Sequence, residues 1–414
     1  MAEPKEVFEF CAGDTEPFEK LQKALARYEL TTAGNVDLPK GIFVGGWVGY
    51  FAYELGRYIE KVPARAIDDL EMPLIRLCFY DKLIAYDRLE NTHWAIALEM
   101  EADSETADDK RCHLQQLLTA LKEPAPSEER ERDTAKYYKS NMSKADYVGA
   151  IEKIRHYIHE GDVYQINFSH RFERDYGAAP VDLYHWQNEH NPSPYSAYID
   201  AGEFAIVSAS PEMFITISDR VISTKPIKGT RPRCGLAGRD EKNFDELLHC
   251  EKEQAELNMI IDLERNDLGR ICQYGTIKVS QPRTIEAYPT VFHAVATVEG
   301  KLRDEITFCD VLKAMFPGGS ITGAPKIRSM EIIDELEPTQ RGVYTGSVGF
   351  IGIDGTVCLN IAIRTVIIHN GKAYAQTGGG IVYDSKPEAE WDETLTKAKA
   401  LLEGIEAVNK SFEC

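Results

Sequence analysis

A large assembly that mixes helices and strands is the fold class the sequence predicts, and three observations predict it. The chain has 414 residues, enough to bury a sizeable core as one big α/β body or as two or three domains. Hydrophobic residues make up 43% and charged residues 28%, an ordinary globular balance, and no run approaches the ~18 apolar residues of a membrane helix. Short β-branched runs alternate with stretches whose apolar residues recur at helical spacing.

Residues 1–122 read as an N-terminal region whose strands pack on the core. Gly41 to Tyr58 is glycine-rich, aromatic and nearly uncharged until Glu54, which suits a buried strand and turn. Leu74 to Tyr86 and Thr92 to Met100 read as further strands, and Asp108 to Lys122 as a helical piece. Residues 123–135, rich in proline, glutamate and arginine, have the composition of a linker, leaving 136–410 as the larger domain. A helix opens at Ser143, which with Asp146 resembles a capping box, and continues through Tyr147, Ile151, Ile154 and Ile158. Val163 to Phe172 alternates as a strand, with Gln165, Asn167 and Ser169 on one face, a pattern that suggests a lined cavity or a buried hydrogen-bond network. Tyr198 to Ser208, Phe214 to Ile222 and Val357 to Arg364 read as strands. Leu247 to Leu263 and Pro387 to about Glu406 read as helices.

Charge and cysteine content narrow the function. The formal charge of −20 argues against nucleic acid or an anionic membrane as the main partner, so an anionic substrate needs a locally positive pocket or a cation. No basic stretch runs into an apolar core at Met1–Glu6, so no secretory signal is visible. Nine scattered cysteines without a Cys-x-x-Cys pair fit a reduced cytoplasmic compartment with buried thiols.

Chemistry-bearing residues gather in a few stretches. In Thr224–Thr230, Pro226 stops a central strand and Gly229 permits a turn, so Lys228 is either a solvated loop lysine or one aimed in a defined direction. Glu253 and Glu256, and again Glu390 and Glu393, share a helix face; such spacing arises by chance or holds a cation, and oxygen-only ligands point to Mg²⁺. Phe316–Lys326 is a glycine-rich loop entering a helix, whose start offers N–H groups to an anion. Gly378, Gly379 and Gly380 form a hairpin turn or a backbone cradle for a carboxylate. Arg364 closes an apolar strand and suits a carboxylate partner.

Together, Ser210-Pro211-Glu212, Pro226–Arg233, Ala255–Arg270, Phe316–Lys326, Gly342–Phe350, Asn360–Thr365 and Thr377–Thr394 resemble the chorismate-utilising enzymes, which include anthranilate, aminodeoxychorismate, isochorismate and salicylate synthases. The resemblance implies an α+β fold, a large antiparallel β-sandwich with helices on the outside, as in anthranilate synthase component I. It implies Glu212 as general acid and Mg²⁺ held by Glu256 and Glu390, with Glu253 and Glu393 direct or through water. It further implies that Gly378–Gly380 and Lys397 hold the ring carboxylate, Tyr344 and Arg364 the enolpyruvyl carboxylate, and that His293 and Thr322 line the ring site. Gln165 stands where the water-activating lysine of the isochorismate and salicylate branches resides. Lys228 replaces the alanine usual in anthranilate and isochorismate enzymes, and lysine there marks the aminodeoxychorismate branch. The implied reaction joins chorismate and ammonia to 4-amino-4-deoxychorismate through a covalent Lys228 adduct. A separate glutamine amidotransferase subunit, forming a heterodimer, would supply the ammonia. Anthranilate synthesis is the alternative, and a non-catalytic ligand sensor a distant one.

Overall fold

The computed structural model of the chain describes residues 3–30, 41–101, 104–120 and 138–412; the expected linker 123–135 lies outside them. Two antiparallel sheets face each other across the main core. The ten-stranded sheet begins with Glu6–Phe10, Ile75–Tyr80 and Gly46–Phe51. It continues through Ser347–Gly352, Val357–Asn360, Met213–Ser218, Val221–Lys225, Val291–Lys301 and Ile227–Pro232, with Lys278–Ala287 also on Val291–Lys301. N-terminal and C-terminal strands therefore share one sheet, joined where Trp47 meets Ile351. The seven-stranded sheet centres on Gln165–Asp175, Lys372–Ile381, Thr365–His369 and Phe204–Ser210.

Apolar side chains from both sheets fill the space between them: Phe214, Ile215 and Leu359 from the larger, Phe204, Ile206 and Ile367 from the smaller. The outer face of the smaller sheet is covered by helices Pro180–His190 and Pro387–Phe412 through Leu183, Leu401 and Ile405. This is the expected sandwich with helices outside. Ser143 caps helix Lys144–His159, its hydroxyl accepting from the Asp146 N–H at 3.1 Å while the Asp146 carboxylate accepts from that hydroxyl.

Several elements depart from the sequence reading, each for a local reason. Phe214 to Ile222 is not one strand but a hairpin, because Asp219 and Arg220 both take left-handed backbone, the geometry of a tight two-residue turn. Tyr198 to Ser208 splits likewise into Tyr195–Asp200 and Phe204–Ser210, with the Asp200 carboxylate accepting from the Gly202 N–H. The expected helix from Leu247 is two helices, Ala237–His249 and Glu251–Gly269, broken at Cys250, where the Arg283 guanidinium takes the Leu247 and Cys250 carbonyls. Of the eight described cysteines, all free, only Cys78, Cys272 and Cys309 are buried; Cys11, Cys112 and Cys234 are exposed, so the expectation of buried thiols is only partly met.

The most consequential departure is at Val357 to Arg364. The strand stops at Asn360, and the chain crosses to the other sheet, resuming there as Thr365–His369. Arg364 lies at the end of this crossover with φ 52. A second crossover, Ser210 to Met213, runs beside it in the reverse direction, and the two are laced together. The Ala209 N–H donates to the Arg364 carbonyl (3.0 Å), the Ile361 N–H to the Glu212 carbonyl (3.0 Å) and the Ser210 hydroxyl to the Ile361 carbonyl (2.6 Å). Glu212 and Arg364 thus stand where the two sheets are stitched together.

Candidate active site

Pro226 breaks a run that would otherwise be continuous: Val221–Lys225 and Ile227–Pro232 both pair along Val291–Lys301. The register slips between Ile227 and Thr230, and Gly229, at φ 95, supplies the bulge. A Cβ on Gly229 would lie 2.8 Å from the Glu253 carboxylate, so glycine also admits that side chain. The bulge turns Lys228 into the cleft, where its Nζ donates to the Ser320 carbonyl at 3.1 Å. The Ser320 hydroxyl faces the Glu212 carboxyl and favours its charged form, and that carboxyl accepts weakly from the Ile227 N–H at 3.5 Å. Glu212 is 5% exposed. Burial lowers the pKa of Lys228 and raises that of Glu212; their mutual attraction is the largest opposing cause for each. Both are driven toward neutral forms, an amine beside a carboxylic acid.

His293 faces this pair from the neighbouring strand. Its Nδ1 is 2.9 Å from the Thr230 hydroxyl, and burial, aided by the Arg364 charge, lowers its pKa to about 4, so the ring is neutral. Arg364 also senses the buried Tyr344, and one guanidinium nitrogen donates to the Lys397 carbonyl. Thr322 is fully buried, but its hydroxyl turns back to the Gly318 carbonyl at 2.9 Å, which closes the loop on itself. Lys326 also turns inward, donating to Asp267 at 2.5 Å and to the Met315 carbonyl at 3.0 Å.

Gly378, Gly379 and Gly380 are not a hairpin turn. They lie within strand Lys372–Ile381, opposite Ser169, Phe168 and Asn167. The neighbouring strand Thr365–His369 pairs only as far as Ala375, so beyond it the strand is laddered on one side. Gly378 turns its carbonyl to this open edge, accepting from Lys397 Nζ at 3.1 Å, and in an antiparallel strand its N–H points the same way. Gln165, 1% exposed, closes over Gly380 with its Oε1 unpartnered, and a side chain on Gly380 would strike its amide. A Cβ on Gly379 would lie 3.5 Å from Glu390 and 3.6 Å from Lys397, so the glycine strand faces helix Pro387–Phe412 directly.

The four glutamates approach from two helices. Lys228 and Glu393 both act on Glu256 electrostatically, and Lys252 acts on Glu390, so the two pairs face each other across the cleft. Glu253 pairs with Arg231 through one oxygen at 2.8 Å; its other oxygen is buried without a partner. Glu393, at the exposed rim, pairs with Lys397 at 2.8 Å. Glu390 bonds Ser385, and Glu256 has Lys252 at 3.9 Å. Burial raises the pKa of Glu256 and Glu390, with neighbouring carboxylates adding to it. Among the described residues no three His, Cys, Asp or Glu side chains close on a common point as a ready metal cage.

A family model described as chorismate binding enzyme matches residues 2–403. The chain belongs to the chorismate-binding enzyme family. Aminodeoxychorismate synthase component 1 of Bacillus subtilis is 41% identical over 377 residues, 91% of this chain and 80% of that protein. Anthranilate synthase component 1 of Pseudomonas aeruginosa is 38% identical over 405 residues, 96% of this chain and 82% of that protein. The crystal structure of anthranilate synthase component I from Streptococcus pneumoniae matches with a TM-score of 0.84 at 31% identity, covering 97% of this chain and 91% of that one. Among the described residues no helix is long and apolar enough to cross a membrane.

In this chorismate-binding enzyme the structure adds residues that the sequence reading passed over. Ser320 joins Lys228 to Glu212, although nothing marks it in the sequence beyond its place in a glycine-rich loop. Arg341 and Glu337, both buried, pair at 2.7 Å beneath Tyr344, and Arg341 also holds the Asn167 and Ile321 carbonyls. Two charges four apart on the chain are the only sequence trace of that hub. The polar face of Gln165, Asn167 and Ser169 does meet a buried network, since Ser169 donates to Glu337.

Proposed function

We propose that the chain is component I of an aminodeoxychorismate synthase, and that Lys228 is its nucleophile. The observation carrying this reading is the pair Lys228 and Glu212, bridged by Ser320 and driven by burial toward amine and acid. The Lys228 amine adds at C2 of the ring, the double bonds shift, and the C4 hydroxyl leaves as water with the Glu212 proton. Ammonia then adds at C4, the double bonds shift back, and the C2–N bond breaks to return the neutral lysine. The extra proton on the new amine passes to the Glu212 carboxylate, restoring the acid. Two easier displacements replace one difficult one.

Arg364 beside Tyr344, and Lys397 beside the open edge at Gly378–Gly380, would bind the two carboxylates of chorismate, with neutral His293 and Thr322 against the ring. The donor set fits Mg²⁺: it is all oxygen, one Glu253 oxygen is buried without a partner, and the carboxyls of Glu256 and Glu390 stay raised despite the lysines near them. Glu256 and Glu390 suit direct ligation, while Glu253 and Glu393, already paired with Arg231 and Lys397, suit contact through water. When bound, the ion would neutralise the ring carboxylate. Gln165 cannot act as a cationic or basic water activator, which supports amination over hydration at C2. The name component 1, borne by these relatives, supports a second subunit that supplies ammonia from glutamine.

Anthranilate synthesis is the second reading, favoured by identity to anthranilate synthases nearly as high as to the aminodeoxychorismate enzyme. Purified protein with chorismate, Mg²⁺ and ammonium separates them. The expected product is 4-amino-4-deoxychorismate without pyruvate, and release of anthranilate with pyruvate would overturn the proposal.

A further inference from the structure

We propose that Glu264 is a positioning residue that braces, from behind, the turn on which Lys228 and Glu212 meet. It lies near the end of helix Glu251–Gly269 and is 3% exposed. The helix packs against the short turn Gly319–Ile321, and the Glu264 carboxyl faces the Gly319 N–H, which favours its charged form. Oε1 is the oxygen nearer Gly319, and Oε2 is buried without a partner. A Cβ on Gly319 would lie 2.5 Å from Leu263 and 3.2 Å from Glu264 Oε1, so only glycine lets the turn seat this deeply.

Two further side chains at the same end of the helix grip the same loop. Asp267 holds Lys326, which also donates to the Met315 carbonyl at 3.0 Å, and Arg270 donates to the Ala314 carbonyl at 3.4 Å. Positions 264 and 267 are three apart and share one side of the helix, and Arg270 follows as its C-cap. The loop is held at both ends by Asp267 and Arg270 and at its turn by Glu264. One peptide beyond Gly319 stands Ser320, whose carbonyl receives the Lys228 amine and whose hydroxyl meets Glu212. Displacing the turn displaces the contact shared by both groups.

A space-filling role alone does not account for a carboxyl here. Leucine or methionine would occupy the same volume without leaving a buried oxygen unpaired. The groups facing Glu264 are Asp267, Lys326 and, across the turn, Glu212. Burial and the Asp267 charge raise its pKa to about 8, which disfavours a negative charge behind Glu212.

This inference rests on the reading of Lys228 and Glu212 as the reacting pair, and its test separates the two. Glu264→Leu fills the space without an acceptor, and Glu264→Gln restores one. For the leucine variant the expectation is a fall in kcat of about tenfold, with KM for chorismate within about twofold. Glutamine should return kcat to within about threefold of wild type. Acetylation of Lys228 by acetic anhydride, mapped by mass spectrometry against exposed Lys139, should shift at least about threefold in the leucine variant, whether or not the chain turns chorismate over. Gly319→Ala breaks the same contact from the other side and should show the same signature if the leucine variant does not fold. Lower melting with wild-type kcat and wild-type Lys228 labelling would reduce Glu264 to a filler and overturn the inference. A wild-type chain that makes no aminated product would sink the proposed function instead, leaving the labelling to decide on Glu264.

Discussion

Lys228, Glu212 and His293 enter the cleft from the ten-stranded sheet, whereas Gly378–Gly380, Glu390, Glu393 and Lys397 enter from the seven-stranded sheet and the helix that covers it. The first wall suppresses charge: burial depresses Lys228 and His293 and elevates Glu212. The second wall keeps charge at its rim, although burial raises the pKa of Glu390 deeper in: the Lys397–Glu393 pair is partly open to water, and the Lys397 charge holds Glu393 below its usual range. Bond making needs a neutral amine and an undissociated acid, while recognition of a dianion needs fixed cations and exposed N–H groups. A single wall could not provide both, because the desolvation that disfavours charge on Lys228 would disfavour it equally on a cation meant to hold the dianion.

This contrast predicts where substitutions should act. Lys228→Ala should cost the most, roughly 10³-fold in kcat for amination, and should leave no covalent adduct to trap. A loss below about tenfold would remove the nucleophile assignment. Glu212→Gln should lower kcat by about 10²-fold while leaving KM for chorismate nearly unchanged, since a general acid acts in the transition state. Changes on the opposite wall should move binding instead. Glu390→Gln should weaken the apparent Mg²⁺ affinity by about 10–100-fold. A kcat loss at saturating Mg²⁺ as large as that of Glu212→Gln would erase the distinction between the walls.

The smallest expected effect is on stability. Each sheet buries one neutral histidine, His293 in the larger and His170 in the smaller, and burial lowers both from 6.5 to about 4. Below the unfolded value the unfolded chain binds the additional proton. Stability from these rings is therefore fully present above about pH 6.5 and is lost as pH falls toward 4, at up to about 1.4 kcal/mol per pH unit per ring. His170→Gln, compared with wild type by denaturant unfolding at several pH values, should lose less stability over that window. Identical pH slopes would show that His170 is not held neutral. The raised carboxyl of Glu264 opposes the histidines, because stability it costs is recovered as pH falls below 8. The comparison must therefore be made as a difference between variants.

The residues whose role is written locally were legible before the fold. Pro226 and Gly229 frame Lys228 through their own backbone limits, and Ser143 with Asp146 caps a helix within one turn. The glutamate pairs show their shared face through helical spacing alone. What misled the reading was continuity: a β-branched run from Phe214 to Ile222 conceals a left-handed hairpin at Asp219-Arg220, and an apolar run from Val357 to Arg364 conceals a crossing between sheets. Gly378–Gly380 left a hairpin turn and a backbone cradle both open, and their place in a strand, with Gln165 pressing on Gly380, removes the turn.

By itself the sequence determined the family through the order of its motifs, and it singled out Lys228 as the position at which the resemblance separates one branch of that family from the others. Only the tertiary structure decided that Lys228 meets Ser320, 92 positions away, and that Glu212 and Arg364 stand on paired crossovers. Such encounters depend on sheet register and on which sheet a strand joins. Those are long-range choices made by the burial of whole faces, and no local stretch of chain encodes them.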